Sequence, residues 1–188
     1  WLGWQIPIIT NDNHVSSQIK EIKTDEILNF ISQKGVAVIA GFQGISKNNR
    51  ITTLGRGGSD LSAVEIAKFF KTDSCEIYTD VDGVLTTDPS INEKAKKIDK
   101  ISYEEMLEMS SLGAKVMQPA AVQTAMTNNI PVHVRSAFSG KFGTKIISEG
   151  DIDNKKMVTG IAYSKKNAKV SIVGVVDKPG VAADVFEP

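Results

Sequence analysis

Cysteine is almost missing from this sequence: 188 residues hold one thiol, Cys75. A single cysteine closes no internal disulfide and fits a reducing compartment, so the expected location is cytoplasmic. Cys75 stands at the mouth of an apolar strand, where the ordinary role is that of a small buried hydrophobe. An excess of charge is missing too. The 22 basic and 22 acidic residues cancel, and like charges cluster only in short runs such as Lys94-Ala-Lys-Lys97. That argues against a nucleic-acid-binding surface or a polybasic membrane patch as the main business. No apolar run reaches the roughly 20 residues of a membrane-spanning helix. The opening WLGWQIPIIT has neither a basic n-region nor a small-residue cleavage site, so it does not read as a signal peptide. The two histidines, His14 and His133, show no metal-ligand spacing, and no metal site is expected. Internal repeats and low-complexity tracts are absent as well.

What remains is an ordinary globular composition, 41% hydrophobic and 23% charged, long enough for one domain with a proper core and part of a second. Strand-length apolar runs alternate with helix-period segments. Residues 4–10 read as a strand. Thr24 is placed to cap a helix over 25–34, with Ile27, Leu28 and Ile31 on one face and Gly35 at its end. The continuous apolar run 36–40 predicts a strand buried on both faces. Ala63, Ile66, Ala67 and Phe70 mark one helical stripe, and 76–79 a short strand. Ser102-Tyr-Glu-Glu105 is a capping box. Pro119 opens a further helix that ends near Asn128-Asn129, and 131–134 returns to strand. The methionines read as core filler. The alternation predicts an α/β fold with a mainly parallel sheet between helices.

Two stretches carry chemistry. The first is TTLGRGGSD (52–60), with three glycines around one cation and one anion. A turn capped by Ser59 or Asp60 would explain it, although Ser62-Ala-Val-Glu65 also fits a capping box. Dinucleotide binding fails on spacing, because Asp60 stands where G-x-G-x-x-G needs glycine. The remaining reading is a site for a small anionic or zwitterionic ligand at a helix N-terminus. Arg56 would grip a carboxylate and Asp60 would suit an ammonium group. Local chemistry alone leaves turn and site both open. The second stretch is the acidic loop DVDGVLTTDPS. Its Asp80, Asp82, Gly83 and Asp88 miss the EF-hand order. Lying after a strand of an α/β sheet, the loop is either a solvated acidic turn or part of the ligand-binding end of such folds. His133 alternates with Val132 and Val134 and reads as structural. Lys115, at a helix-to-loop junction, is either a surface lysine or a phosphate contact.

Taken together, GFQG (41–44), TTLGRGGSD (52–60), YTDVDGVLTTDP (78–89), SYEEMLEMSSLGAKVMQP (102–119) and IPVHVRS (130–136) resemble the catalytic domain of aspartokinases. The tail AKVSIVGVVDKPGVAADVF (168–186) is similar to the start of the ACT regulatory domain that follows it. The resemblance implies a three-layer amino-acid-kinase-like fold. It also implies transfer of the γ-phosphate of ATP, with Mg²⁺, to the β-carboxylate of L-aspartate, which opens lysine, threonine and methionine synthesis. Feedback by lysine or threonine and a homo-oligomer formed through ACT domains are further implications.

Carried over residue by residue, Arg56 meets the substrate α-carboxylate and Asp60 its ammonium, with Gly57, Gly58, Ser59 and Phe42 lining the pocket. Thr79 and Asp80 match residues on the adenine and ribose side. Leu85, Asp88, Pro89 and Ser90 belong to the loop over the nucleotide, and Lys115 matches a lysine near it. Asp177, Lys178, Pro179, Gly180, Val181, Ala182 and Ala183 match the effector-binding loop. The implied division is a partial kinase domain over 1–148, a linker over 149–166 and the ACT start over 167–188. The sequence departs from the family pattern in three places. Leu85 and Ser90 replace a tyrosine and an arginine, Gln118 stands where many relatives have histidine, and no Lys-Phe/Tyr-Gly-Gly segment with its phosphate-binding lysine occurs. Leu85, Ser90 and the missing lysine leave a second reading, a non-catalytic remnant or regulatory partner that binds aspartate or nucleotide.

Overall fold

The computed structural model describes residues 1–152 and 157–164. The ACT-like tail and the effector residues 177–183 lie outside them. In chain order the elements are β1 (Ile8–Thr10), β2 (Ile19–Ile22), α1 (Asp25–Ser32), β3 (Gln43–Ser46), β4 (Ile51–Thr53), α2 (Gly58–Phe70), β5 (Cys75–Thr79), β6 (Lys100–Ser102), α3 (Tyr103–Ser111), α4 (Pro119–Thr127), β7 (Val132–Ser136) and β8 (Thr144–Ile147), followed by a 3₁₀ turn, Glu149–Asp151.

The strands form two four-stranded sheets, ordered β2-β1-β3-β4 and β5-β7-β8-β6. Pairs β1/β3, β5/β7 and β6/β8 are parallel. Pairs β1/β2, β3/β4 and β7/β8 are antiparallel. The α/β expectation therefore holds, but both sheets are mixed. The cause is local: short connections such as that between β3 and β4 only allow antiparallel neighbours, whereas parallel pairs need a crossover. Helix α2 lies between the two cores. Val64 and Ala67 belong to a large cluster with Ile77, Ile101, Met106, Val132, Val134 and Ile146. Ile66, Phe69 and Phe70 pack against a smaller one of Ile6, Ile8, Ile22 and Ile27. The predicted stripe on this helix is thus shared between two neighbours.

Helix α3 begins as its sequence requires. The Ser102 side chain accepts from the Glu105 N–H, and the Glu105 side chain accepts from the Ser102 N–H. Pro119 occupies the first turn of α4. Helix α1 ends at Ser32 with Gln33 as its C-cap, and Lys34, one residue before the expected glycine, takes the left-handed φ of 64°. Its Ile27 is buried, while Leu28 and Ile31 are exposed.

Three expectations are corrected. Residues 36–40 form no strand. Val36 and Val38 are 84% and 75% exposed, while Ala37 and Ile39 pack on the smaller cluster. Ala40 N–H donates to the Trp1 carbonyl, so the segment is extended and covered on one side. An apolar run by itself does not tell one covered face from two. Strand β1 spans only Ile8–Thr10, because residues 3–7 turn, with Gln5 N–H donating to the Leu2 carbonyl. Met106, Met109 and Met117 are core residues, but Met157 is fully exposed.

Candidate active site

The glycine-rich loop joins β4 to α2. Gly55 and Gly57 hold φ 78° and 71°, a left-handed backbone that costs glycine little and other residues more. Gly57 is the N-cap of α2, and no side chain caps that end. The capping reading of Ser59, Asp60 and the Ser62–Glu65 box is therefore corrected. Ser62 lies inside the helix, where its hydroxyl donates to the Gly58 carbonyl at 2.7 Å and accepts from Phe42 N–H at 2.8 Å. That hydrogen bond ties the 41–44 segment to the helix start. Phe42 itself sits at φ 71°, an uncommon conformation for a bulky residue and one that clusters at functional sites. A Cβ on Gly58 would lie 2.8 Å from the Phe42 ring and 2.9 Å from Leu54 Cβ. Only glycine fits between them.

The α2 N-terminus thus presents uncapped N–H groups beside exposed Ser59 and exposed Arg56. Among the described residues Arg56 makes no ion pair. Asp60, half-buried in the first turn, accepts from Gln118 N–H at 3.2 Å. Burial raises its pKa above the ordinary value, and the Gln118 hydrogen bond only partly offsets that. A cation and an anion that, among the described residues, pair with no opposite charge flank a helix N-terminus, which is an arrangement for a zwitterion.

The acidic loop starts at the carboxyl end of β5, beside the carboxyl end of its parallel neighbour β7. The Thr79 carbonyl accepts from Ala137 N–H at 2.8 Å, and the Thr79 hydroxyl donates to Asp80 Oδ1 at 3.1 Å. Asp82 accepts from Ser139 Oγ at 2.6 Å and Lys141 Nζ at 3.0 Å. These bonds latch the loop after β5 to the loop after β7 and hold the Asp82 carboxyl below its usual range. Leu85 bridges to Lys97. Asp88 Oδ1 accepts from both the hydroxyl and the N–H of Ser90, which lowers its pKa, with a smaller contribution from the Lys115 charge. Ser90 thus holds the turn at Asp88. Lys115 is exposed, and its charge acts on Asp88.

Part of the span read as a linker also reaches this loop: Ile161 N–H donates to the Thr86 carbonyl at 2.8 Å, and Thr159 bonds Glu105. His133 is held in β7 by Glu76 and Phe142, and burial lowers its pKa. Burial pushes the Cys75 thiol up to about 11, so it stays protonated and unreactive. Among the described residues no three His, Cys, Asp or Glu side chains are grouped to hold a metal, and no helix is long and apolar enough to cross a membrane.

The motif sequence places at this site matches a known family model. Residues 3–136 fit the amino acid kinase family. The chain belongs to the amino acid kinase family. It is 46% identical to the aspartokinase of Helicobacter pylori strain J99 over 98% of this chain and 46% of that protein. It is 44% identical to the aspartate kinase Ask_LysC of Stutzerimonas stutzeri over 100% of this chain and 46% of that one. The chain therefore spans about half the length of these relatives. Among solved structures, Escherichia coli aspartokinase III in complex with aspartate and ADP (R-state) superposes with a TM-score of 0.74 at 34% identity, covering 79% of this chain and 34% of that one. The Synechocystis aspartate kinase gives a TM-score of 0.67 at 41% identity, covering 84% and 25%.

One residue of the site was given no weight in the sequence. Gln118, the N-cap of α4, lies against both Gly57 and Asp60. The only signal for it was its departure from the family's histidine, which carried no direction without the contact.

Proposed function

We propose that this chain is the part of an aspartate kinase that binds the amino acid and the nucleotide, from an enzyme that transfers the γ-phosphate of ATP to the β-carboxylate of L-aspartate. The observation that carries the reading is the pairing of exposed Arg56 with half-buried Asp60 across the uncapped N-terminus of α2. The aspartokinase relatives support it. Arg56 binds the α-carboxylate, and Asp60 binds the ammonium. The acceptor carboxylate is ionised at neutral pH, so the reaction needs no general base, only two anions held in line. The nucleotide lies along Thr79, Asp80, Leu85 and Asp88–Ser90, with Lys115 on the phosphate side. Mg²⁺ bound with the phosphates would neutralise charge there, and the exposed carboxylate of Asp80 and the few other acidic groups fit an ion that leans on phosphate and water. The E. coli enzyme in complex with lysine and aspartate (T-state) superposes with a TM-score of 0.69. By analogy, the effector of this chain's parent would be lysine or threonine, bound near 177–183, with 1–148, 149–166 and 167–188 as its kinase, linker and regulatory parts and ACT-mediated pairing of subunits.

A second reading, binding without transfer, is favoured by Leu85 and Ser90. Ser90 braces Asp88 where the family pattern supplies a cation. The deciding experiment is aspartate-dependent acyl-phosphate formation with Mg²⁺·ATP, trapped as the hydroxamate. Product with aspartate but not glutamate supports transfer by this chain. Binding of aspartate and ADP without product selects the second reading. Arg56→Ala should weaken aspartate binding by about tenfold or more, the worth of a lost charge-assisted pair, and leave ADP affinity unchanged, as measured by calorimetry.

A further inference from the structure

The amino-acid pocket contains a polar group that the family pattern does not use. Gln118 Oε1 is buried and has no hydrogen-bond partner. A buried acceptor left unpaired costs about 1–3 kcal/mol, so native structures rarely keep one without a reason. Its position is well defined. The Gln118 N–H is tied to Asp60 Oδ2 at 3.2 Å. The side chain folds over the glycine loop, so closely that a Cβ on Gly57 would meet Gln118 Cβ and Cγ at 3.1 Å and Cδ at 3.3 Å. Gln118 thus brings an unpaired carbonyl and a bond to the Asp60 carboxylate to the same loop. Among the described residues the Gln118 N–H is the one donor to this pair, and no lysine, arginine or histidine pairs with Asp60. What such a pair lacks is a cation with several N–H groups. A primary ammonium carries three, and one carboxylate does not use them all.

We propose that Gln118 is a specificity-determining residue of the amino-acid site, whose side-chain carbonyl accepts a hydrogen bond from the α-ammonium of the bound substrate beside Asp60. This inference rests on the reading of the glycine-rich loop as the amino-acid pocket. Gln118 thereby helps distinguish an α-amino dicarboxylic acid from the same diacid without its amine. The orphaned acceptor of the free protein gains its partner on binding, and binding is favoured by the removal of that cost. Packing of the glutamine over Gly57 holds the carbonyl in place, and the backbone bond to Asp60 keeps the two acceptors in register.

The test compares two ligands and two variants by calorimetry or ligand-observed NMR on the folded chain. The ligands are L-aspartate and succinate, which differ by the ammonium group. Gln118→Leu keeps the volume and removes the acceptor, whereas Gln118→Glu keeps an acceptor. Gln118→Leu should weaken aspartate binding about tenfold, the range of a hydrogen bond to a charged group. Succinate binding should be unchanged in the same variant, and Gln118→Glu should restore aspartate affinity. ADP binding should stay at the wild-type level in both variants, which also reports an intact fold. Equal losses for aspartate and succinate, or no loss for aspartate, would overturn the proposal and leave the pocket reading standing. If the wild-type chain binds neither ligand, the pocket reading itself fails, and the role of Gln118 fails with it.

Discussion

The glycine-rich loop and the acidic loop both present carboxylates, yet they are held by opposite means. The first is built into the core. Gly58 is wedged between Leu54 and the Phe42 ring, Ser62 ties the helix start to the 41–44 segment, and Asp60 is half-buried. The second is fastened by polar side chains nearer the solvent: half-buried Asp82 to Ser139 and exposed Lys141, and exposed Asp88 to exposed Ser90. The pKa directions follow. Burial pushes Asp60 up, and hydrogen bonds pull Asp82 and Asp88 down. On the proposed reading, a pocket that strips water from a small zwitterion suits the first construction, and a loop that admits and releases a nucleotide suits the second, because hydrogen bonds near the surface open at little cost.

The largest effect should come from breaking the packed loop. Gly58→Ala puts a methyl group within 3 Å of the Phe42 ring and of Leu54, a collision in a site with little room to move. Overpacking of this kind costs about 1–3 kcal/mol. Urea unfolding should show that loss, together with weaker aspartate binding. A variant as stable as the wild type would mean that the loop is looser than its geometry shows.

The two loops also separate by pH. Asp60 has a folded-state pKa above its ordinary 3.8. The fold therefore favours its neutral form, and the associated stability is complete below the ordinary value and lost as pH rises through the raised one. Asn at this position is neutral throughout, so the stability of Asp60→Asn relative to wild type should rise with pH across that window. Asp82 and Asp88 have lowered values, so what they contribute is present above 3.8 and lost as pH falls through their depressed pKa values. Urea midpoints of the wild type, Asp60→Asn and Asp82→Asn between about pH 3 and 6 separate the two signs. The same slope in both variants would erase the distinction between the loops.

The sequence revealed the second half of the fold better than the first, and the reason is physical. The capping box at Ser102, the proline of α4 and the alternation around His133 in β7 are local signals, and each element formed close to where its signal lay. Residues 36–40 and the Ala63–Phe70 stripe depend on what covers them, and periodicity does not report a neighbour. The same limit applies to the site. Arg56 and Asp60 are legible as candidates because their charges and the glycines between them belong to one stretch. Gln118, fifty-eight residues beyond Asp60 in the chain, reaches the proposed site only through the meeting of α2 and α4. The latch from Asp82 to Ser139 and Lys141 was hidden in the same way, because the partners follow different strands.

That latch gives the smallest expected effect and the sharpest test of how the nucleotide loop is held. Among the described residues Asp82 bonds to Ser139 and Lys141, neither of which is proposed to contact the nucleotide, but both follow β7, whose end is bonded to Thr79 through Ala137. Releasing it should let the loop from Asp80 to Ser90 shift relative to Thr79 without unfolding the core. Lys141 is largely exposed, and exposed ion pairs contribute little. Asp82→Asn should therefore weaken ADP binding only a few-fold, roughly the range of an exposed pair, and leave aspartate affinity at the wild-type level. Ser139→Ala with Lys141→Ala breaks the latch from the other side and should give the same split. An equal loss for aspartate and ADP would mean that the two loops move as one body, and the contrast between a packed loop and a fastened one would fail.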